Sequence, residues 1–292
     1  MRAAGFRLDV IYPADEPHTA LLSGDAGKVR LTRPGASALP NGLPRFEPSS
    51  VLTKAGADAG QGRAGMLYRD LIPGRLGGRY IASHITIPDG GPVEDWVHYH
   101  RIALQMIVVR RGWVRVVYQD QGDPFVMNEG DMVLQPPGIR HRVLESSAGL
   151  EVVEITAPAM HETFADHDLV LPNGEQEARL FGGQKFYFHE ASETPWTPFN
   201  GAEAQETAMR QATGGLTEVR TIRRADASQI SFPAHEGELV FGFVLDGTAN
   251  LDGSALDPAD AFVVPPNQSW TLADVSEDFR LLHVTTAALP SN

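Results

Sequence analysis

The feature that most constrains this chain is the stretch from Val97 to His141, where three histidines and one amide stand at spacings that can close on a single metal ion. His98-Tyr99-His100 lies in an extended run. Side chains alternate between the faces of a strand, so two histidines one residue apart project the same way from one backbone segment. Gln105 follows five positions after His100, ahead of the apolar run Met106 to Val109 and of Gly112. This order predicts a turn and a new strand that opens with an inward amide. Further on, Gly130-Asp131 opens a turn and Met132-Val133-Leu134 reads as a short buried strand. Pro136-Pro137-Gly138-Ile139-Arg140-His141 then forms a stiff turn that delivers His141 to a fixed place, because proline fixes φ and glycine permits a tight reversal.

Composition narrows how such a site is housed. At 292 residues the chain is long enough for two domains, each with its own core, and 42% hydrophobic residues mark it as globular. Its 29 glycines and 21 prolines fall between short runs rich in Val, Ile, Phe and Tyr, which favours an all-β chain with few, short helices. A formal net charge of -13, with the arginines scattered, argues against a nucleic-acid partner. The absence of cysteine excludes disulfides, thiolate ligands and a cysteine nucleophile. Met1 to Arg7 is not followed by an apolar core of signal-peptide length, and no run approaches a membrane span. A cytoplasmic location with no membrane partner is the expectation.

On these residues the sequence resembles the cupins. Their first motif reads Gly, five residues, His-x-His, three or four residues, Glu, six residues, Gly. Here Gly91 lies one residue further from His98 than that pattern, Gln105 stands where Glu is expected, and Gly112 follows after six more residues. The second motif reads Gly, five residues, Pro-x-Gly, two residues, His, three residues, Asn. Gly130, Pro136, Gly138 and His141 match it without an indel, and Glu145 replaces the Asn. The resemblance implies a double-stranded β-helix (jelly-roll) barrel in which His98, His100 and His141 are the ligands of one divalent metal. It makes Gln105 the fourth ligand or leaves that position open. From the residue alone, Gln105 reads either as a weak oxygen donor or as a buried amide hydrogen-bonded to a neighbour.

The expected architecture is all-β, with two tandem cupin barrels and an N-terminal arm. Residues 1–66, broken by Pro34, Pro40, Pro44 and Pro48, form the arm, with short strands such as Arg7 to Tyr12. The metal-binding barrel covers 67–158, a connection 159–205, and a second, degenerate barrel 206–292. An internal repeat carries the duplication. Tyr68-Arg69-Asp70 through Gly77-Gly78 is echoed by Met209-Arg210-Gln211 through Gly214-Gly215, and Leu150 to Thr156 by Phe279 to Thr285. In the second copy His235 matches His100 counted from Gly247, or His98 counted from the Gly-Gly pair, and Trp270 stands in the place of His141. An indole cannot ligate a metal but fills a barrel interior, so the second barrel is expected to be structural or dimerising.

Three neutral imidazoles leave open positions on a divalent ion, the mark of a catalytic rather than a structural metal. Fe(II) is favoured, with Zn, Mn, Ni and Cu compatible with the same ligands. His84 is a candidate acid or base and equally a packing residue; Arg140 is a candidate anion anchor and equally an exposed arginine. Glu94 and Asp95 could shuttle a proton or solvate their loop, and Glu145 and Glu154 could orient a ligand imidazole or be surface charges. The expected function is a metal-dependent enzyme acting on a small, oxygenated, anionic metabolite, foremost an Fe(II) dioxygenase-type reaction. Alternatives are a non-redox isomerase, cyclase or hydrolase, and a non-catalytic metabolite binder. A homodimer is expected by analogy with two-barrel cupins.

Overall fold

Alternating apolar residues place the strands of this chain in two packed barrels, as seen in a computed structural model that describes residues 5–61 and 65–289. The first four residues, on which part of the leader reading rests, lie outside the described residues. Helix is confined, among the described residues, to single turns such as Arg75–Gly78 and Met209–Ala212.

The alternation is clear in Leu150–Ala157. Leu150 and Val152 enter the interior of the first barrel, where Glu154 also points, whereas Val153, Ile155 and Ala157 face the second barrel. Leu104–Arg111, paired antiparallel beside it, behaves the same way: Met106 and Val108 go to the interface, Ile107 and Val109 to the interior. The second barrel answers with Phe241, Phe243, Val263, Leu282 and Val284. A sheet apolar on both faces must be covered on both, and here each barrel covers the other.

The two interface sheets have one topology. In the first, Tyr187–His189, Met132–Leu134, Leu104–Arg111, Leu150–Ala157, Ile81–Ile87, Leu67–Asp70 and Gly60–Gln61 lie side by side. In the second the order is Val51–Thr53, Ala261–Val264, Leu239–Asp246, Arg280–Thr286, Thr217–Arg223, Ala202–Glu206 and Thr197–Phe199. Position by position these correspond, and the outer strands are exchanged. Val51–Thr53, which precedes the first barrel, pairs with Ala261–Val264 of the second; Tyr187–His189, which precedes the second, pairs with Met132–Leu134 of the first.

Three expectations change in detail. The N-terminal segment is built into the sheets: Arg7–Tyr12 pairs with Thr163–Ala165, which in turn pairs with His98–His100, and Thr19–Gly24 and Gly27–Thr32 extend that sheet outward. Thr197–Phe199 and Ala202–Glu206, expected in the connection, are strands of the second barrel. The counterpart of Leu67–Asp70 is therefore Ala202–Glu206, and Met209–Ala212 matches the Arg75–Gly78 turn instead. Local similarity around the Gly-Gly pairs had pulled the repeat out of step by one element.

Candidate metal centre

His98–His100 and His141–Ser146 are neighbouring antiparallel strands, with His141 directly opposite His98. Cross-strand partners on one face stand side by side, so two of the histidines meet by register and the third follows by strand period. The ring centroids of His98 and His141 are 4.3 Å apart, and each lies 5.2 Å from that of His100. One ring nitrogen from each can be chosen so that all lie within 4.8 Å of one another, a group that could hold a metal ion. All three residues are buried.

Hydrogen bonds orient the rings. His98 Nδ1 lies 2.8 Å from the Trp96 carbonyl and His141 Nδ1 3.1 Å from the Ile139 carbonyl. A carbonyl only accepts, so Nδ1 carries a proton in both rings, and Nε2 is the atom that offers a lone pair in the neutral form. His100 Nδ1 is held at 2.9 Å by the Thr163 hydroxyl, which the strand pairing sets opposite His100. Asp95, whose Oδ2 accepts from the Val143 amide, lies 3.5 Å from His98 Nδ1. Neutral imidazoles with outward Nδ1 contacts are the donor set a divalent ion takes.

Gln105 shares its strand face with Ile107 and Val109, toward the barrel interior, and is not among the cavity-lining residues. Its Oε1 accepts from Gln135 Nε2 at 2.9 Å, and Gln135 Oε1 accepts from the Tyr118 hydroxyl. Tyr118 stacks on His141 with centroids 5.6 Å apart. Burial pushes its hydroxyl well above the ordinary phenol range, with the charge of Glu154 adding to the shift, so it is a fixed donor. The buried relay Tyr118–Gln135–Gln105 thus runs from the His141 ring back to Gln105.

The histidines open on a cavity of about 100 Å³, walled by apolar side chains such as Ile85, Ile107, Val116 and Val152. Its polar lining includes Tyr118, Gln135, Glu154, His161 and Asp15. The remaining sequence candidates lie elsewhere. His84 sits between the barrels, with Nε2 2.8 Å from Glu151 and Nδ1 3.2 Å from Arg69, its ring against Phe243. Arg140 pairs with Asp166 at 3.0 Å and stacks over Tyr99, and Glu145 pairs with Arg115. None of these three is among the cavity-lining residues.

Sequence reasoning did not single out Asp15, Tyr118, Gln135 or His161. Gln135 had a readable signal, since it shares a strand face with Val133 two positions earlier. Asp15 and His161 had none, because they arrive on the N-terminal segment and the post-barrel loop.

In the second barrel, Phe232 pairs with Trp270 in the register where His98 pairs with His141. The two aromatic rings stack at 3.7 Å, nearly parallel. His235 therefore matches neither His98 nor His100. Its Nε2 lies 3.1 Å from the Val264 carbonyl. Where Glu154 faces the first cavity, the equivalent position is His283, buried between Arg220 and the Phe232–Trp270 stack.

No family model matches this sequence, and no curated protein matches it. Solved structures do. Salicylate 1,2-dioxygenase from Pseudaminobacter salicylatoxidans superposes with a TM-score of 0.59 at 16% identity, covering 84% of this chain and 86% of that one. Protein Ylba from E. coli gives 0.58 at 13%, covering 85% and 94%. Oxalate decarboxylase from Lactobacillus farciminis gives 0.58 at 11%, covering 88% and 89%. At these identities the likeness is one of fold, and the chain is an all-β protein of two tandem cupin barrels carrying a three-histidine group able to hold a metal in the first.

Proposed function

We propose that this chain is a metal-dependent cupin enzyme whose first barrel holds one divalent ion, Fe(II) foremost, through His98, His100 and His141. The observation that carries the reading is the convergence of three buried imidazoles, with the Nδ1 atoms of His98 and His141 on carbonyls, at a cavity lined by a carboxylate and apolar walls. An ion held there supplies Lewis acidity and, as Fe(II), a place for O2 beside a substrate.

The protein's own groups set the rest. A cavity of about 100 Å³ limits the substrate to a small metabolite, and most of its lining is apolar. Three neutral ligands leave the ion's charge uncompensated, which favours a substrate that reaches it through an anionic oxygen, an enolate or carboxylate. Glu154 is placed to take the proton such a substrate gives up. Gln105 stands uncharged where a glutamate would offset part of the ion's charge, and its oxygen also holds Gln135 and, through it, Tyr118 against His141. The dioxygenase and oxalate decarboxylase among the structural neighbours support metal chemistry on small oxygenated acids.

Iron-loaded protein should consume O2 with at least one member of a panel of small diketones, hydroxy acids and catechol-like compounds. Turnover without O2 uptake would instead place it among non-redox metal enzymes, and ligand-induced melting shifts without any turnover would identify a binder.

A further inference from the structure

Beyond the histidine group, two residues that line the cavity each have a buried polar atom with no hydrogen-bond partner: His161 Nε2 and Asp15 Oδ1. His161 is 4% exposed, and its ring packs edge-on against His100 with centroids 5.4 Å apart. Its Nδ1 lies 3.0 Å from the Pro158 carbonyl. That carbonyl can only accept, so Nδ1 carries the proton and Nε2 offers a lone pair. Asp15 arrives on the N-terminal segment, where Arg75 holds its Oδ2 at 2.7 Å and leaves Oδ1 without a partner.

Buried polar atoms are as a rule satisfied, and an orphaned one calls for an explanation. Two orphaned acceptors lining one cavity need hydrogen-bond donors. The Tyr118 hydroxyl, which also lines the cavity, is committed to Gln135.

We propose that His161 Nε2 and Asp15 Oδ1 are acceptors for substrate O–H groups, so that the substrate is a hydroxylated acid or enol that offers an anionic oxygen to the ion and an O–H to one of these two acceptors. The proposal rests on the reading of the cavity as a metal-dependent active site and adds the substrate's donor. His161 also lines a second cleft, bordered by Thr213 and Leu216 of the second barrel, so its ring stands between that cleft and the cavity.

The test uses Co(II)-loaded full-length protein, whose visible absorption reports ligands at the ion, titrated with two matched pairs of probes: glycolate against acetate and lactate against propionate. The hydroxylated member should bind at least about tenfold more tightly, the worth of a well-formed hydrogen bond to a buried acceptor. His161→Phe, which keeps an aromatic ring against His100, should reduce that preference to less than about threefold, the loss falling on glycolate and lactate more than on acetate and propionate. His161→Gln, which restores an acceptor oxygen, should recover part of it, and Asp15→Ala should diminish it. Wild-type protein with no preference within either pair, whether both members bind or neither does, overturns the acceptor site; so does a preference that survives both His161→Phe and Asp15→Ala. Failure of the metal reading looks different: Co(II) would then give no absorption that His141→Ala removes.

Discussion

Replacing Gln105 by glutamate tests whether the motif glutamine sets the charge of the centre. Gln105 is 1% exposed and its oxygen accepts from Gln135 Nε2. A carboxyl group keeps that acceptor in the same shape, so the perturbation is one of charge. Without metal, a buried carboxylate with one amide donor is poorly solvated and takes up a proton. The penalty at pH 7 is then capped by the cost of protonating a group whose ordinary pKa is about 4.3, or about 3.7 kcal/mol. It should shrink by about 1.4 kcal/mol for each unit the pH is lowered and vanish near pH 4.3. An ion beside the site restores the charged form, so as much as the whole penalty returns as metal affinity, up to about 500-fold. The assay is thermal unfolding of chelated and metal-loaded protein between pH 5 and 8, with metal titration at pH 7. The metal-free Gln105→Glu protein should melt well below wild type at pH 8, come within about 1 kcal/mol of it at pH 5, and bind metal more tightly. It should also bind anionic ligands more weakly, since the centre has lost one positive charge. If the two metal-free proteins melt in parallel across this range, position 105 is not desolvated. Unchanged metal affinity and unchanged binding of anions would show that Gln105 does not set the charge of the site and is a structural amide.

The other expectations concern single measurements. His141→Ala should abolish most metal binding by elemental analysis, and His235→Ala should leave it unchanged; near-normal occupancy in the first, or a halved content in the second, contradicts the assignment. His283, buried beside Arg220, has its pKa lowered to about 3 by burial and by the neighbouring charges of Arg220 and His235. A depressed histidine costs nothing above its ordinary value of about 6.5 and destabilises the fold progressively as pH falls toward 3, by about 2.7 kcal/mol between pH 6.5 and 4.5. His283→Leu should flatten that limb relative to wild type, and an identical slope would refute the assignment. A homodimer is expected in dilute buffer, and light scattering at one chain's mass of 31.7 kDa would contradict it.

What was legible in the sequence was what local periodicity determines. The strand period puts His98 and His100 on one face, and a Pro-Pro-x-Gly turn fixes where His141 emerges. The rest depended on which strand lies beside which. Nothing local says that Val51–Thr53 belongs to the far barrel, because a three-residue strand takes its partner from the edge it meets. His235 shows the same limit. Counting from glycines gave it two incompatible counterparts, whereas register identifies Phe232 as the counterpart of His98. Asp15 and His161 reach the cavity because Arg7–Tyr12 and Thr163–Ala165 pair with each other, a contact more than 150 residues long in sequence.

The duplication explains why one barrel can lose its imidazoles while the other keeps them. Each copy's interface sheet has two apolar faces, and the outward face of the first is covered by Phe241, Phe243, Leu282 and Val284 of the second. Those residues alternate with the second barrel's interior positions, so the interface is indifferent to what fills that interior. A stacked Phe232–Trp270 pair fills it by burying aromatic surface, where the first barrel places polar rings. The exchanged strands then tie the barrels together, since removing either barrel would leave the other with an unpaired edge and an uncovered apolar sheet. The second barrel therefore serves the candidate metal centre without touching it: it keeps water from the back of the sheet that carries Gln105 and Glu154.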